Sequence, residues 1–314
     1  MYNEYSKSVG SRITNQMLPR VEDKFTFLYL EYTRIIQDEY SIAAYKDSQK
    51  YIIPLAMINA LILGPGTSIS HAAVKNVVDC GCTLIWSGQD LNYIYATGMG
   101  CGEYSKNLIL QAKCYSDNVK HMHVIRRMYQ IRYPDVNLAK FSISQMRGME
   151  GKRVKAIYDK LAEEYQVQRD GRAYDTKNFD RQNSINKMIT AGNQLLYAIC
   201  QAAIISFGMS PGLGFIHNGH TRSFVFDMAD LYKEDMVLPA AFQVTAEFGS
   251  NTEELRKACR RQFTEKKLMK RIAKDLSGLF EFPDMTTKLP SDVGLWNFSD
   301  VVASGKNYGG DGLF

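Results

Sequence analysis

Four side chains in the second half of the chain have the types and spacing of a cation site. Glu150 lies in Gln145-Met146-Arg147-Gly148-Met149-Glu150-Gly151-Lys152-Arg153-Val154. On a helix, Met146, Glu150, Val154, Ile157 and Leu161 share one stripe, so Glu150 falls on the apolar face. A carboxylate there needs a partner, either a bound cation or a buried arginine. Asp227 and Asp230, in Ser223-Phe224-Val225-Phe226-Asp227-Met228-Ala229-Asp230, stand three apart and share a helical face. Like charges at that spacing repel unless a cation lies between them, although an aspartate near a helix start also gains from the macrodipole. His217 follows the Pro211-Gly212-Leu213-Gly214 loop in Gly214-Phe215-Ile216-His217-Asn218-Gly219. A histidine after an apolar pair equally serves as a core or cap residue. Taken together, mostly oxygen donors with one nitrogen suit Mg²⁺ or Mn²⁺ better than a structural zinc.

A second feature is basic. Residues 256–271 contain Arg256, Lys257, Arg260, Arg261, Lys266, Lys267, Lys270 and Arg271, opposed only by Glu265. Such a helix suits phosphate contacts, or is simply a solvated face. Arg147 and Arg153 beside Glu150, and Lys233 beside Asp230, are further candidates for DNA contact, with Arg256 and Arg260. Tyr32 and Tyr197 are candidates to stack on bases.

The elements that must carry these residues change character along the chain. Residues 25–99 read as β-rich, with candidate strands at Phe25 to Tyr32, Tyr51 to Ile53, Ala60 to Leu63, Thr83 to Trp86 and Tyr93 to Ala96, and a short helix from His71 to Val78 after the Gly64-Pro65-Gly66-Thr67 turn. The glycines of Thr97-Gly98-Met99-Gly100-Cys101-Gly102 mark the boundary. Helical periodicity follows near 104–133, 142–167, 183–208, 222–233 and 252–277. The organisation is therefore α+β, with a small N-terminal β domain (1–99), a larger helical catalytic domain (100–280) and a tail (281–314).

Composition narrows the function classes. The 314 residues are 45% hydrophobic and 23% charged, ordinary for a globular chain. The net charge of +5 is uneven: residues 101–200 hold 17 Lys and Arg against 10 Asp and Glu, an excess that attracts a polyanion. No Cys-x-x-Cys pair occurs among the six cysteines, which speaks against a zinc ribbon or a disulfide scaffold and for buried free thiols. No GxGxxG or Walker motif suggests a nucleotide cofactor. The polar start MYNEYSKSVG is not a signal peptide, and the apolar run from Tyr51 to Leu63 is too short to span a bilayer. The expectation is a cytoplasmic protein with no membrane partner.

At the quoted residues the sequence resembles the CRISPR adaptation integrase family, in its type I-E form. The likeness covers roughly residues 18–280. It is carried by Leu18-Pro19-Arg20-Val21-Glu22-Asp23, Gly64 to Val74, Gln145 to Gly151, Gly214 to Gly219, Ser223 to Asp230 and Ala258-Cys259-Arg260. The resemblance implies that Glu150, His217 and Asp230 are metal ligands and that Asp227 is an additional active-site aspartate. It places Tyr32 and Tyr197 at a DNA duplex end and at the active site. It further implies a homodimer, two of which flank a central dimer of a small adaptation partner protein. That assembly captures a short foreign duplex, the protospacer, and inserts it into the CRISPR array beside the leader, at the leader-repeat junction. The chemistry would be attack of a DNA 3′-hydroxyl on a target phosphodiester. The alternative is a metal-dependent endonuclease that uses water and only cuts. Residues 281–314 depart most from the family pattern.

Overall fold

The computed structural model describes residues 25–89, 94–98, 105–168 and 184–282, and two short strands at 294–296 and 301–303. The segment 18–23, Cys101, the glycines at 100 and 102, and most of the 281–314 tail lie outside the described residues.

The N-terminal part holds β1 (Phe25–Leu30), β2 (Arg34–Asp38), β3 (Ser41–Lys46), β4 (Gln49–Ile53), β5 (Ile58–Leu63), β6 (Ser68–Ile69), α1 (His71–Asp79), β7 (Thr83–Ser87) and β8 (Ile94–Gly98). They form two four-stranded sheets, ordered β1-β5-β7-β8 and β4-β3-β2-β6. In the first, β1, β5 and β7 run parallel and β8 is antiparallel to β7. All six residues of β5, Ile-Asn-Ala-Leu-Ile-Leu, are buried, as expected of a central parallel strand covered on both faces. The alternation along it divides two cores. Ala60 and Ile62 join the helical core, with Phe27 and Ile85. Leu61 and Leu63 join a smaller core under α1 and the second sheet, with Ile35, Ile42 and Val77. The pleat of one strand thus fastens the two halves together.

β2 and β3 are absent from the sequence reading. They are linked by a tight turn in which Glu39 takes the left-handed conformation (φ 50°), and a glutamate carries no turn signal.

The C-terminal part holds α2 (Lys106–Ser116), α3 (Asn118–Arg132), α4 (Ile143–Glu164), α5 (Ser184–Ser206), α6 (Ser223–Asp230), α7 (Leu238–Phe248), α8 (Thr252–Glu265) and α9 (Leu268–Leu279). The class is α+β, as expected. The helix expected over 104–133 is two. Asp117 breaks it, its side chain accepting from Val119 N at 2.9 Å and Lys120 N at 3.1 Å, a new N-cap. The helix expected over 252–277 is also two, divided at Lys267 (φ 51°). The helix expected over 222–233 stops at Asp230, and a single π-helical turn, Lys233–Val237, leads into α7. No expectation covered α7.

α5 is buried on nearly every side and packs against α6, α7, α8 and β5. It is long and apolar enough to cross a membrane, but 83% of its most apolar window lies inside the protein. It is the core helix around which the site elements are arranged. In the tail, β9 (Gly294–Trp296) and β10 (Val301–Ala303) pair antiparallel. The described cysteines, Cys80, Cys82, Cys114, Cys200 and Cys259, are buried free thiols.

Candidate active site

The site is built from the loop before α6, the end of α6, and the facing side of α4. The loop is set by Asp227, which is 1% exposed. Its Oδ2 accepts from the backbone N–H of Phe215 (2.5 Å) and Ile216 (3.1 Å), and its Oδ1 accepts from His217 N (2.8 Å). The same Oδ1 lies 2.8 Å from His217 Nδ1. A buried carboxylate has thereby traded its water for four protein donors. Gly214 permits the fold-back: a Cβ there would lie 2.4 Å from the His217 carbonyl oxygen and 2.7 Å from Ser223. On the far side, His121 Nε2 lies 2.9 Å from the Phe215 carbonyl and its Nδ1 2.9 Å from that of Tyr115, tying the loop to the end of α2.

With Nδ1 on Asp227, the histidine presents Nε2 outward, 4.0 Å from Asp230 Oδ2. The bond to Asp227, opposed by burial and reinforced by the charges of Asp230, Asp227 and Glu150, raises the His217 pKa above its ordinary value. Asp227 and Asp230, three apart on one helix, therefore have separate hydrogen-bond partners. Asp227 organises the loop and the imidazole tautomer, while Asp230 faces outward and accepts from Lys233 Nζ at 3.2 Å. Lys233 stays protonated: burial lowers its pKa, but Asp230, Tyr197 and Tyr158 together outweigh that and raise it.

α4 begins with a capping box. Ser142 Oγ accepts from Gln145 N, and Gln145 Oε1 accepts from Ser142 N. Glu150 meets the second of the two partners its sequence position allowed, a buried arginine. Its Oε1 accepts from Arg132 at 2.5 Å and its Oε2 from the Tyr129 hydroxyl at 2.9 Å. Arg132 also bonds Glu234, which accepts from Arg153 Nε at 2.9 Å. Arg147 donates to the Ile216 carbonyl at 3.3 Å, joining α4 to the histidine loop.

Glu150 and Asp230 line one cavity of about 430 Å³, together with Arg132, Arg147, Lys155, Tyr158, Lys233 and Glu234. Among the described residues, no three histidine, cysteine or acidic side chains stand close enough to hold an ion as they are. Glu150 is turned toward Arg132 and Tyr129. The donor chemistry nonetheless fits a hard divalent ion, with two carboxylates and an imidazole Nε2 whose other nitrogen is engaged.

The remaining candidates divide. Tyr197 sits beside the site, its ring edge-on to Phe226 at 5.0 Å. Tyr32 lies between β1 and β2, 65% exposed at φ 51°, its ring over Gly66, where a Cβ would come within 2.4 Å of Tyr32 Cδ1. Arg260 is exposed above the Phe27 ring at 5.3 Å. Arg256 is not a solvated cation. Its side chain is 13% exposed, 4.4 Å over the Tyr29 ring and 3.7 Å from Glu31, holding α8 to β1. Sequence reasoning missed Tyr129, Arg132, Glu234 and His121. In the sequence, Tyr129 and Arg132 share an i,i+3 face, but nothing links that face to Glu150.

The family described as CRISPR associated protein Cas1 matches residues 132–276. The chain is 36% identical over 311 residues to CRISPR-associated endonuclease Cas1 2 of Thermus thermophilus, covering 96% of both. It is 35% identical over 254 residues to CRISPR-associated endonuclease Cas1 of Escherichia coli, covering 80% of this chain and 83% of that one. Its structure is similar to a TtCas1–DNA complex, with a TM-score of 0.80 and 36% identity over 89% of this chain and 99% of the other. A casposase bound to its integration product shares the fold, with a TM-score of 0.61 at 14% identity over 81% of this chain and 90% of that one. On sequence and fold alike, this chain belongs to the Cas1 family of CRISPR-associated proteins.

Proposed function

We propose that this chain is a divalent-metal-dependent DNA integrase of CRISPR spacer acquisition, of the type I-E form. The observation that carries the reading is the placing of Asp230, 4.0 Å from His217 Nε2 on one side and on the other lining a cavity with Glu150 and the cations Arg147, Lys155 and Lys233. Glu150, His217 and Asp230 would hold Mg²⁺ or Mn²⁺. When bound, such an ion acts as a Lewis acid on phosphoryl oxygens.

The residues of the chain supply the rest. Arg147, Lys155 and Lys233 make the cavity attractive to a phosphodiester backbone. A DNA 3′-hydroxyl forms a bond to the target phosphorus as the target's own 3′-oxygen leaves, so bonds are exchanged and none is lost. Holding the two strands in line is the main task of the protein. Asp227 keeps Nδ1 of His217 engaged, so that Nε2 remains the functional nitrogen. Tyr197, packed edge-on to Phe226, and exposed Tyr32 are the residues this reading assigns to contact with DNA bases or sugars. The active assembly in this reading is a homodimer, two of which flank a dimer of the small partner protein, holding a protospacer duplex against the leader-repeat.

The relatives' name of endonuclease favours a second reading, cutting by water at the same residues. A strand-transfer assay with labelled duplex and supercoiled plasmid, with and without the partner protein, separates them. Covalent joining that is lost in Glu150→Ala and His217→Ala, with duplex binding kept, supports the integrase. Cut plasmid with no joined label, even with the partner present, supports the nuclease.

A further inference from the structure

Both carboxylate oxygens of Glu150 already have protein donors, and neither donor is free to leave. Tyr129, whose hydroxyl donates to Oε2 at 2.9 Å, is 1% exposed and its ring stacks with that of Tyr133 at 6.4 Å. Arg132, which donates to Oε1 at 2.5 Å, is 8% exposed. Its other terminal nitrogen is bonded to Glu234. Glu234 accepts from Arg153 Nε at 2.9 Å, and Arg153 in turn donates to the Arg132 carbonyl and lies 4.9 Å over the Tyr133 ring. Signs alternate along the chain Glu150, Arg132, Glu234, Arg153. A buried guanidinium set between two carboxylates repays its desolvation only while both pairings hold, so Arg132 has no low-cost way to swing aside.

A carboxylate has about four lone-pair positions, two on each oxygen. One donor on each leaves a second position on each, and Glu150 lines the cavity. The geometry points to Tyr129 and Arg132 as positioning residues for Glu150: they fix its carboxylate on the cavity wall with its unused lone pairs presented to a divalent ion, and the Glu234–Arg153 pair locks Arg132 in place. This rests on the reading of Glu150 as a ligand. Neither residue touches the ion or the DNA; both act through the carboxylate. Partners of this kind typically change metal affinity about 10- to 100-fold when removed.

The test is Mn²⁺ binding to the full-length, DNA-free protein, followed by the electron paramagnetic resonance signal of the free ion, with the melting temperature of every variant measured alongside. Tyr129→Phe keeps the ring and its packing and removes one oxygen. Arg132→Lys keeps the charge and removes the fork that reaches two carboxylates. Tyr129→Phe is expected to weaken Mn²⁺ binding about ten-fold at nearly unchanged melting temperature, Arg132→Lys to weaken it in the same direction, and Glu150→Gln to abolish it. A purely structural role would move melting and leave the Mn²⁺ titration alone. Unchanged affinity in Tyr129→Phe, with Glu150→Gln still losing the ion, overturns the positioning role and leaves the ligand reading standing. Unchanged affinity in Glu150→Gln removes both. If Arg132→Lys loosens the fold, the isosteric Tyr129→Phe decides.

Discussion

His217 and Asp227 are joined twice through one oxygen. Asp227 Oδ1 lies 2.8 Å from the backbone nitrogen of His217 and 2.8 Å from its Nδ1. The carboxylate that orients the imidazole therefore also sets the backbone that carries it, so ring and loop move together. Asp227 is the foundation of the site, and Asp230, one turn on, is its outward face.

Asp227→Asn replaces an acceptor oxygen by a donor amide facing backbone N–H groups. One or more buried donors lose their partner, at about 1–3 kcal/mol, and the amide favours the wrong imidazole tautomer. The expected outcome is a lower melting temperature together with loss of DNA joining at temperatures where the variant is fully folded. Asp230→Asn, at the half-buried end of α6, is expected to lose joining with a smaller change in melting. Equal melting temperatures for the two variants would contradict these separate roles.

Gly214→Ala places a Cβ 2.4 Å from the His217 carbonyl oxygen and 2.7 Å from Ser223. Both contacts include backbone, so the loop must shift, at about 1–3 kcal/mol. Joining activity is expected to fall more than stability, because His217 moves with the loop. Thermal melting and joining rates measured on one preparation check this.

His121→Phe keeps the ring contacts with Tyr115 (5.4 Å) and Phe215 (5.0 Å) and deletes the ring N–H that donates to one of the two facing main-chain carbonyls, Tyr115 or Phe215. A cost of about 1 kcal/mol for that bond and weaker joining are expected, although His121 is no part of the cavity lining. Joining at the wild-type rate would show that the loop holds without this strut.

The pH response follows from the sign of the His217 shift. Its bond to Asp227 raises the folded pKa above 6.5. The stability from that pairing is complete below 6.5 and is lost as pH rises through the folded value. A ligating Nε2 must be unprotonated, so Mn²⁺ binding is expected to strengthen over the same rise. Melting temperature and Mn²⁺ affinity measured against pH should therefore change in opposite directions in this window, and Asp227→Asn should move the midpoint of Mn²⁺ binding to lower pH. A midpoint unmoved in that variant would contradict the coupling.

The two arginines of α8 should behave differently. Arg256 is sandwiched between Tyr29 and Glu31, so Arg256→Ala is expected to lower stability and leave the salt dependence of duplex binding alone. Arg260 is exposed. If it contacts one phosphate, Arg260→Ala reduces the slope of log affinity against log salt by about 0.9. The reverse pattern would contradict the assignment.

Much of this site was legible because its parts are local in sequence. The glycine loop, His217 and the paired aspartates lie within the twenty residues from Pro211 to Asp230, and the stripe through Glu150 follows from helical spacing alone. The division of labour between Asp227 and Asp230 was not legible, because helical spacing says that two side chains share a face but not which backbone folds over one of them. Arg132 was hidden for a similar reason. It completes Glu150 from another helix, and its neighbours in sequence, Tyr133 and Pro134, mark only a helix end. In the fold, the parallel core strand showed through its apolar stretch Ala60 to Leu63, whereas β2 and β3 were lost because Glu39 makes their turn without glycine, asparagine or proline. The breaks at Asp117 and Lys267 were lost because hydrophobic periodicity continues across them.

Glu150, His217 and Asp230 are proposed to meet on one divalent ion, and anomalous diffraction from crystals soaked in Mn²⁺ would locate it. A peak is expected about 2.2 Å from a carboxylate oxygen of Glu150, from Nε2 of His217 and from a carboxylate oxygen of Asp230, with Arg132 and Tyr129 still donating to Glu150. Manganese bound elsewhere, with Nε2 of His217 bare and Glu150 held only by Arg132 and Tyr129, would contradict it.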